Sequence, residues 1–191
     1  MTTAPAHSGL APGFLLAPPS LADPNFDGSV VLLAAHQPDG AMGFVINRPS
    51  TLHLHVLLTD LEIVPTVADR LALVGGPVND YAGFVMYEHL PEQPLADGIA
   101  LSSTISVTPS LDLLQRAATG LLPGRFELLL GYAGWGPGQL EDELAGGTWL
   151  HAPFDAELLF DVPLGKRWDE TYARLGVNPG GVISVRGGAQ A

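Results

Sequence analysis

The chain is 191 residues long, 47% apolar and 15% charged, with 23 glycines, 17 prolines and no cysteine. That length suits one domain with a substantial core, and the lack of cysteine excludes disulfides, thiolate nucleophiles and cysteine-bound zinc or iron–sulfur centres. The net charge is −12, and the eight basic residues are scattered apart from Lys166-Arg167; direct nucleic-acid binding, which needs clustered cations against phosphate, is disfavoured.

Residues 1–12 are small, polar and interrupted by proline, and read as a flexible start. No basic residue precedes Arg48, and Pro12, Pro18 and Pro19 break the apolar stretch from Gly9 to Leu21. This end is therefore expected to be neither a signal peptide nor a membrane anchor. Gly13 to Ala17 reads as a short strand. Pro18 to Gly28 reads as an ordered loop, because Asp23-Pro24 and Asp27-Gly28 form turns while Leu21 and Phe26 pin it to the core.

Ser29 to Ala35 and Met42 to Asn47 are predicted strands of one hairpin, apolar nearly throughout and so expected to be buried on both faces. After Asn47-Arg48-Pro49, Thr51 is expected to cap a helix reaching Leu61, with Leu54, Leu57, Leu58 and Leu61 on one face. Leu71 to Val74 and Gly83 to Tyr87 read as paired strands around Gly75-Gly76-Pro77. Glu88 to Gly98 is loop, and Ile99 to Ser102 a short strand.

Thr108 and Pro109 are placed at the start of a helix that ends at Gly120, with Leu111, Leu114, Ala117 and Ala118 as its apolar stripe. Phe126 to Tyr132 is the expected central strand, followed by a helix from Pro137 to Ala145. Thr148 to His151 is extended, Asp155 caps a turn of helix through Phe160, and Pro163 to Leu175 forms a last helix stopped by Gly176. The glycine-rich tail from Val177 reads as loose.

The glycine corner between the central strand and its helix invites a phosphate reading. Gly131 and Gly136 have P-loop spacing, but Pro137-Gly138 stands where Lys and Ser/Thr must hold phosphate and magnesium. Gln139 occupies the third glycine position of a dinucleotide fingerprint, and Glu141-Asp142-Glu143 would repel an anion. A structural corner explains more residues: Gly136 as helix cap, Pro137 at the first helical position, and Trp135 stapled to Leu140. The acidic helix face is left as a partner surface.

No cofactor or metal is expected. His53 and His55, two apart on a predicted helix, point about 200° from each other and do not chelate together. His36, ending a buried strand, reads as a hydrogen-bonded structural histidine. Asp23 and Asp27 serve turns, and neither a G-x-S-x-G elbow nor an H-E-x-x-H motif occurs. Asn47, Arg48, Gly75 and Gly76 all end strands and are expected to share a rim. There Arg48 either binds an anion with the glycine amides or, the favoured reading, forms a salt bridge or caps carbonyls.

Asp23-Pro24-x-Phe26, Gly40-Ala41-x-Gly43-Phe44-Val45-Ile46-Asn47-Arg48-Pro49, Gly75-Gly76-Pro77-Val78 and Gly131-Tyr132-Ala133-Gly134-Trp135-Gly136-x-Gly138-Gln139-Leu140-Glu141 together resemble the YqgE/AlgH family of bacterial proteins over roughly residues 13 to 176. The resemblance implies a single α/β domain (residues 13–176) with a bifurcated, mostly antiparallel sheet curled into a pseudo-barrel and flanked by helices. It also implies a cytoplasmic location, no established catalytic residues, and a transcriptional-regulator label for the AlgH branch. With the charge argument, the expectation is a non-enzymatic regulatory or interaction protein that acts on another protein. The alternative is a small-molecule or anion site, or an enzyme, at Asn47, Arg48 and Gly75-Gly76, with His36 nearby.

Overall fold

The computed structural model describes residues 9–179. The expected flexible start therefore falls largely outside the described residues, as does the tail beyond 179. Strands β1 (Gly13–Leu16), β2 (Val30–Gln37) and β3 (Gly40–Val45) form an antiparallel meander, and β10 (Leu150–Pro153) adds to the outer side of β1. β2 and β3 are the hairpin read from the sequence. Alternate residues of β2 feed two different cores: Val30, Leu32 and Ala34 one, Val31 and Leu33 the other. Burial on both faces explains its unbroken apolar run.

The sheet forks at β9 (Phe126–Trp135). Its far end pairs with β3 through Ala133 to Trp135, while its near end pairs with β6 (Val78–Glu88) on one side and, in parallel, with β5 (Leu71–Val74) on the other. Gly131 lies at the fork, between the Leu130 and Tyr132 pairs with β6, with φ 70°, a left-handed conformation that glycine adopts without steric cost. β6 pairs with β8 (Ile105–Thr108), β8 in turn with β7 (Ile99–Ala100), and β4 (Pro49–His53) with β5. The result is a 10-stranded sheet, bifurcated as expected.

The sheet does not close into a barrel. Its hydrogen-bonded path ends on β10 at one side and β7 at the other. Twist and curl bring β7 against β2 without a ladder between them, so the sheet curls toward a barrel, as expected, but stays open.

Local signals also yielded to long-range pairing at several boundaries. Thr51 does not cap a helix: Pro49 pairs with Leu73 and His53 with Leu71, so this stretch is extended and helix α1 (Leu54–Asp60) begins later, with no side-chain cap. Thr108 is taken by β8, a strand missed in the sequence, and Ser110 caps α2 (Leu111–Ala118) instead, its hydroxyl accepting from the Leu113 amide. β6 is longer than expected because residues 79–82 form a bulge between the Val78–Tyr132 and Gly83–Leu130 pairs. Helix α3 (Gln139–Ala145) starts at Gln139, with Gly138 at φ 74° before it, rather than at Gly136-Pro137. The last helix divides into a 3-10 turn (Leu164–Lys166) and α5 (Arg167–Arg174), behind the short α4 (Glu157–Phe160).

Three apolar clusters fill the fold. Phe14, Leu32, Phe44, Ile46 and Leu129 pack under α4 and α5, where Leu158, Leu159 and Tyr172 meet them. Leu54, Leu58, Leu113 and Leu114 of α1 and α2 cover Tyr87 and Leu128. Leu15, Leu33, Val45, Trp135, Leu140 and Trp149 form the third, beneath α3 and the loop of residues 18–28. Among the described residues no helix is long and apolar enough to cross a membrane.

Candidate functional site

The signature corner is built from the end of β9, the turn Gly136 to Gly138, and α3. Trp135 points into the core with Leu140 and the two share one apolar cluster, but the helix start at Gln139 takes them off the flanking positions that define a hydrophobic staple. The amide of Gly136 donates to Gln139 Oε1 at 3.0 Å, and Gln139 Nε2 donates to Glu143 Oε1 at 2.9 Å. The other oxygen of Glu143 accepts the indole N–H of Trp135 and that of Trp149, each at 2.9 Å. A chain of polar contacts thus runs along the inner edge of α3, fixing the helix to two buried tryptophans. Tyr132 stacks edge-on against Phe84, while Gly134 is exposed beside the same turn.

Beside this chain lies a pocket of about 180 Å³, roofed by the loop of residues 18–28 and lined by Asp23, Phe26, Trp135, Gln139, Glu143 and Trp149, among others. Asp23 also serves its turn, accepting the Asn25 amide at 2.8 Å. On the opposite side of α3, buried His36 meets Glu141, Nε2 to Oε1 at 2.7 Å. The Glu141 carboxyl lies below the usual carboxylate range, held there first by a backbone hydrogen bond within its own residue and then by His36.

The rim residues divide between two tasks. Asn47 binds the loop of residues 18–28 at its base: Oδ1 accepts the Val30 amide and Nδ2 donates to the Gly28 carbonyl, both at 2.9 Å. Arg48 directs its guanidinium at the same loop, donating to the carbonyls of Pro24 (3.2 Å), Asn25 (2.6 Å) and Asp27 (2.9 Å). This is the carbonyl-capping arrangement weighed in the sequence. The Arg48 carbonyl, by contrast, accepts the Val74 amide, so the backbone of the rim is continuous while its side chains face away from the glycines.

Gly75 and Gly76 meet the corner instead. The Gly75 amide donates to Leu130 and its carbonyl accepts from Val45, both at 2.7 Å. A Cβ on Gly75 would fall on the Gly131 carbonyl oxygen, and one on Gly76 would collide with the Tyr132 carbonyl group. These glycines are required by backbone packed on backbone where the sheet forks.

Several polar groups came together that sequence spacing did not reveal. His53 and His55 do not share a helix face, as the former is in β4; both instead converge on Asp69. His53 Nδ1 lies 2.8 Å from Oδ2, and the His55 amide donates to Oδ1 at 3.0 Å. The Asp69 carboxyl is lowered, chiefly by that His55 amide. Buried His89 and Ser106 are 2.9 Å apart, Nε2 to Oγ, with Nδ1 on the Leu90 carbonyl. This resembles a nucleophilic dyad, yet Ser106 is 2% exposed inside β8. No group of three or more His, Cys, Asp or Glu residues is arranged to hold a metal ion among the described residues.

A second concavity, of about 300 Å³, lies between α1 and α2 over β6 and β9, lined by Leu57, Leu61, Tyr81, Val85, Leu111 and Leu114, with others. Tyr81, presented by the β6 bulge, is 94% exposed, and Leu61 and Leu111 are exposed on either side of it. Nothing in the alternation of residues 78–88 announced this, because the bulge residues project out of the ladder that the pattern describes.

An open, mostly antiparallel sheet that forks at one glycine-broken strand, with helices packed round it, defines a single-domain mixed α/β protein. The chain belongs to the AlgH-like family, whose model matches residues 14–180. It is 42% identical over 193 residues to a UPF0301 protein of Anaeromyxobacter sp. (strain K), covering 97% of this chain and 98% of the relative. A UPF0301 protein of Photobacterium profundum is 40% identical over 183 residues, covering 92% and 97%. The solution structure of the AlgH protein from Pseudomonas aeruginosa superposes with a TM-score of 0.75 at 38% identity, covering 100% of this chain and 98% of that one. A Corynebacterium diphtheriae protein of known crystal structure shares the fold alone, with a TM-score of 0.68 at 21% identity over 91% and 89% of the two chains.

Proposed function

We propose that this is a non-enzymatic, cytoplasmic regulatory protein that acts by binding another protein, in the groove between α1 and α2. The observation that carries this reading is Tyr81, almost wholly exposed over an apolar concavity and flanked by exposed Leu61 and Leu111. A rigid aromatic beside a leucine-lined groove is the kind of anchor that dominates binding energy at protein interfaces. Asp60, Glu62, Asp80 and Asp112 are exposed around it, and the chain carries −12 overall. The partner that fits is an apolar, amphipathic segment flanked by Lys or Arg. Any effect on transcription is then exerted through that partner, since the charge works against direct contact with DNA.

The anion-site alternative has less to support it, because the Arg48 guanidinium already donates to three carbonyls. The test uses two leucine-rich amphipathic peptides of identical core, one flanked by lysines and the other by glutamates. NMR titration is expected to shift Leu61, Tyr81 and Leu111 with the lysine-flanked peptide only, with Tyr81→Ala weakening it about tenfold or more. Equal binding of both peptides, self-association of the protein through this groove, or salt-resistant tight binding of duplex DNA overturns the reading.

A further inference from the structure

The pocket at the signature corner has a chemistry of its own, separate from the Tyr81 groove. Its walls are aromatic: Phe26 and Trp149 meet edge to face at 5.3 Å between ring centres, and Trp135 and Trp149 at 6.2 Å. Two carboxylates line it, Glu143 from α3 and Asp23 from the loop above. No Lys, Arg or His is among its lining residues.

The hydrogen bonds to Glu143 decide the sign of its ligand. Its two oxygens accept three N–H groups, from Trp135, Trp149 and Gln139, and all three donors are neutral. They orient the carboxylate and hold it at the aromatic wall without cancelling its charge. One acceptor position on Oε1 remains after Gln139 is counted, since a carboxylate oxygen takes two hydrogen bonds. The negative faces of the rings add to the same potential. The two carboxylates and the negative ring faces disfavour an anion here. A metal ion would find a carboxylate already engaged by three N–H groups and only one other acid at hand.

We propose that this pocket binds an organic cation, the ammonium or guanidinium head of a small amine or of a basic side chain. Size supports a head group rather than a whole metabolite: about 180 Å³ is well below the roughly 300 Å³ at which pockets begin to enclose drug-sized ligands. The cation sits against the ring faces of this aromatic wall, donates to Glu143 Oε1 and Asp23, and leaves the remainder of its molecule outside. The contacts combine a cation over aromatic rings with charge-assisted hydrogen bonds. This also gives the corner residues Trp135, Gln139 and Glu143 a use beyond joining a strand to a helix.

The chain has three tryptophans, two in this pocket and Trp168 bonded to the Ala17 carbonyl elsewhere, so the indole N–H resonances carry an internal control. Butylammonium and butylguanidinium are titrated against neutral butylurea, each at constant ionic strength. The cations are expected to shift the Trp135 and Trp149 indoles saturably, with a dissociation constant on the order of 1 mM, while Trp168 stays in place. A capped Ala-Arg-Ala peptide is the second arm: the same shifts identify a protein side chain as an acceptable source, and their absence restricts the site to free amines.

Asp23→Asn keeps the turn acceptor and is expected to weaken binding several-fold; Glu143→Gln abolishes it. Should Glu143→Gln fail to fold, Asp23→Asn still decides the matter. Butylurea acting as well as the cations, no saturable shift of either indole, or unchanged affinity in Asp23→Asn overturns the proposal. Tyr81→Ala leaves cation binding intact, so the failure of either reading is distinguishable from failure of the other.

Discussion

Trp135 and Trp149, one on β9 and the other just before β10, donate to the same oxygen of Glu143 at 2.9 Å each. Their rings meet edge to face, and both are buried. Helix α3 is thereby tied at once to β9 and to the segment that leads into β10. Removing the acceptor in Glu143→Ala leaves two indole N–H groups without their partner, and the expected loss is about 2–4 kcal/mol. Urea denaturation measures it, and the near-ultraviolet circular dichroism of the indoles should weaken in the folded variant. A loss below about 0.5 kcal/mol, the size of an ordinary surface change, would mean that water replaces the carboxylate freely.

Gly75→Ala places a methyl group on the Gly131 carbonyl, where neighbouring backbone has no flexible side chain to give way. The expected destabilisation is about 2–4 kcal/mol. Gly134→Ala, whose Cβ meets only the Tyr132 ring at 3.5 Å, is the matched control and should cost far less. If the two variants unfold at the same denaturant concentration, the close approach at the fork is not what requires glycine.

Arg48→Met removes three carbonyl partners from the loop of residues 18–28 at once. Stability is expected to fall by about 1–3 kcal/mol, with amide exchange accelerated at Phe26 and Asp27 before the rest of the domain. Arg48→Lys retains the charge but not the planar fork and should recover only part of the loss. A full recovery by lysine would point to charge rather than geometry. Inorganic phosphate is expected to leave the wild-type midpoint unchanged, since the guanidinium is already bonded.

Glu88 lies 2.7 Å from Arg125, which also bonds Asp161 at 2.6 Å. The Arg125 side chain holds the Glu88 carboxyl below its ordinary value of 4.5. A carboxyl lowered on folding contributes stability that is complete above its unfolded value and is lost as pH falls through the folded one. Arg125 is about half exposed, so solvent screening limits the contribution to about 0.5–1 kcal/mol. Glu88→Gln should therefore be less stable than wild type at pH 7 and converge with it in acid. Parallel stability curves from pH 7 to about pH 3 would remove Arg125 as the cause.

Much of the fold was legible because its signals are local. The hairpin of β2 and β3 announced itself through two apolar runs around a short polar turn, and α2 through its stripe of Leu111, Leu114, Ala117 and Ala118, of which Leu111 is exposed and Leu113 is buried in its place. The family too was legible, in the motifs that turn out to line the fork and the corner. Misread boundaries have one physical origin. Thr51, Thr108 and Gly136 each carried a valid helix-start signal worth about 1 kcal/mol, and the pairing of β4 with β5, the pairing of β8 with β6, and the left-handed Gly138 outweighed it. His53 and His55 were judged as a helical pair, whereas the strand beneath His53 turned both toward Asp69.

The sequence by itself determined the composition of the core, the net charge of −12, and the glycines where backbone must touch backbone. These depend on residue type and short spacing. Only the tertiary structure decided that Arg48 caps a loop instead of facing the glycines, that a bulge presents Tyr81 over an apolar groove, and that two tryptophans share one carboxylate beside Asp23. Each of those depends on partners far apart in the chain, whose meeting is fixed by strand pairing and burial and leaves no periodic trace in the residues themselves.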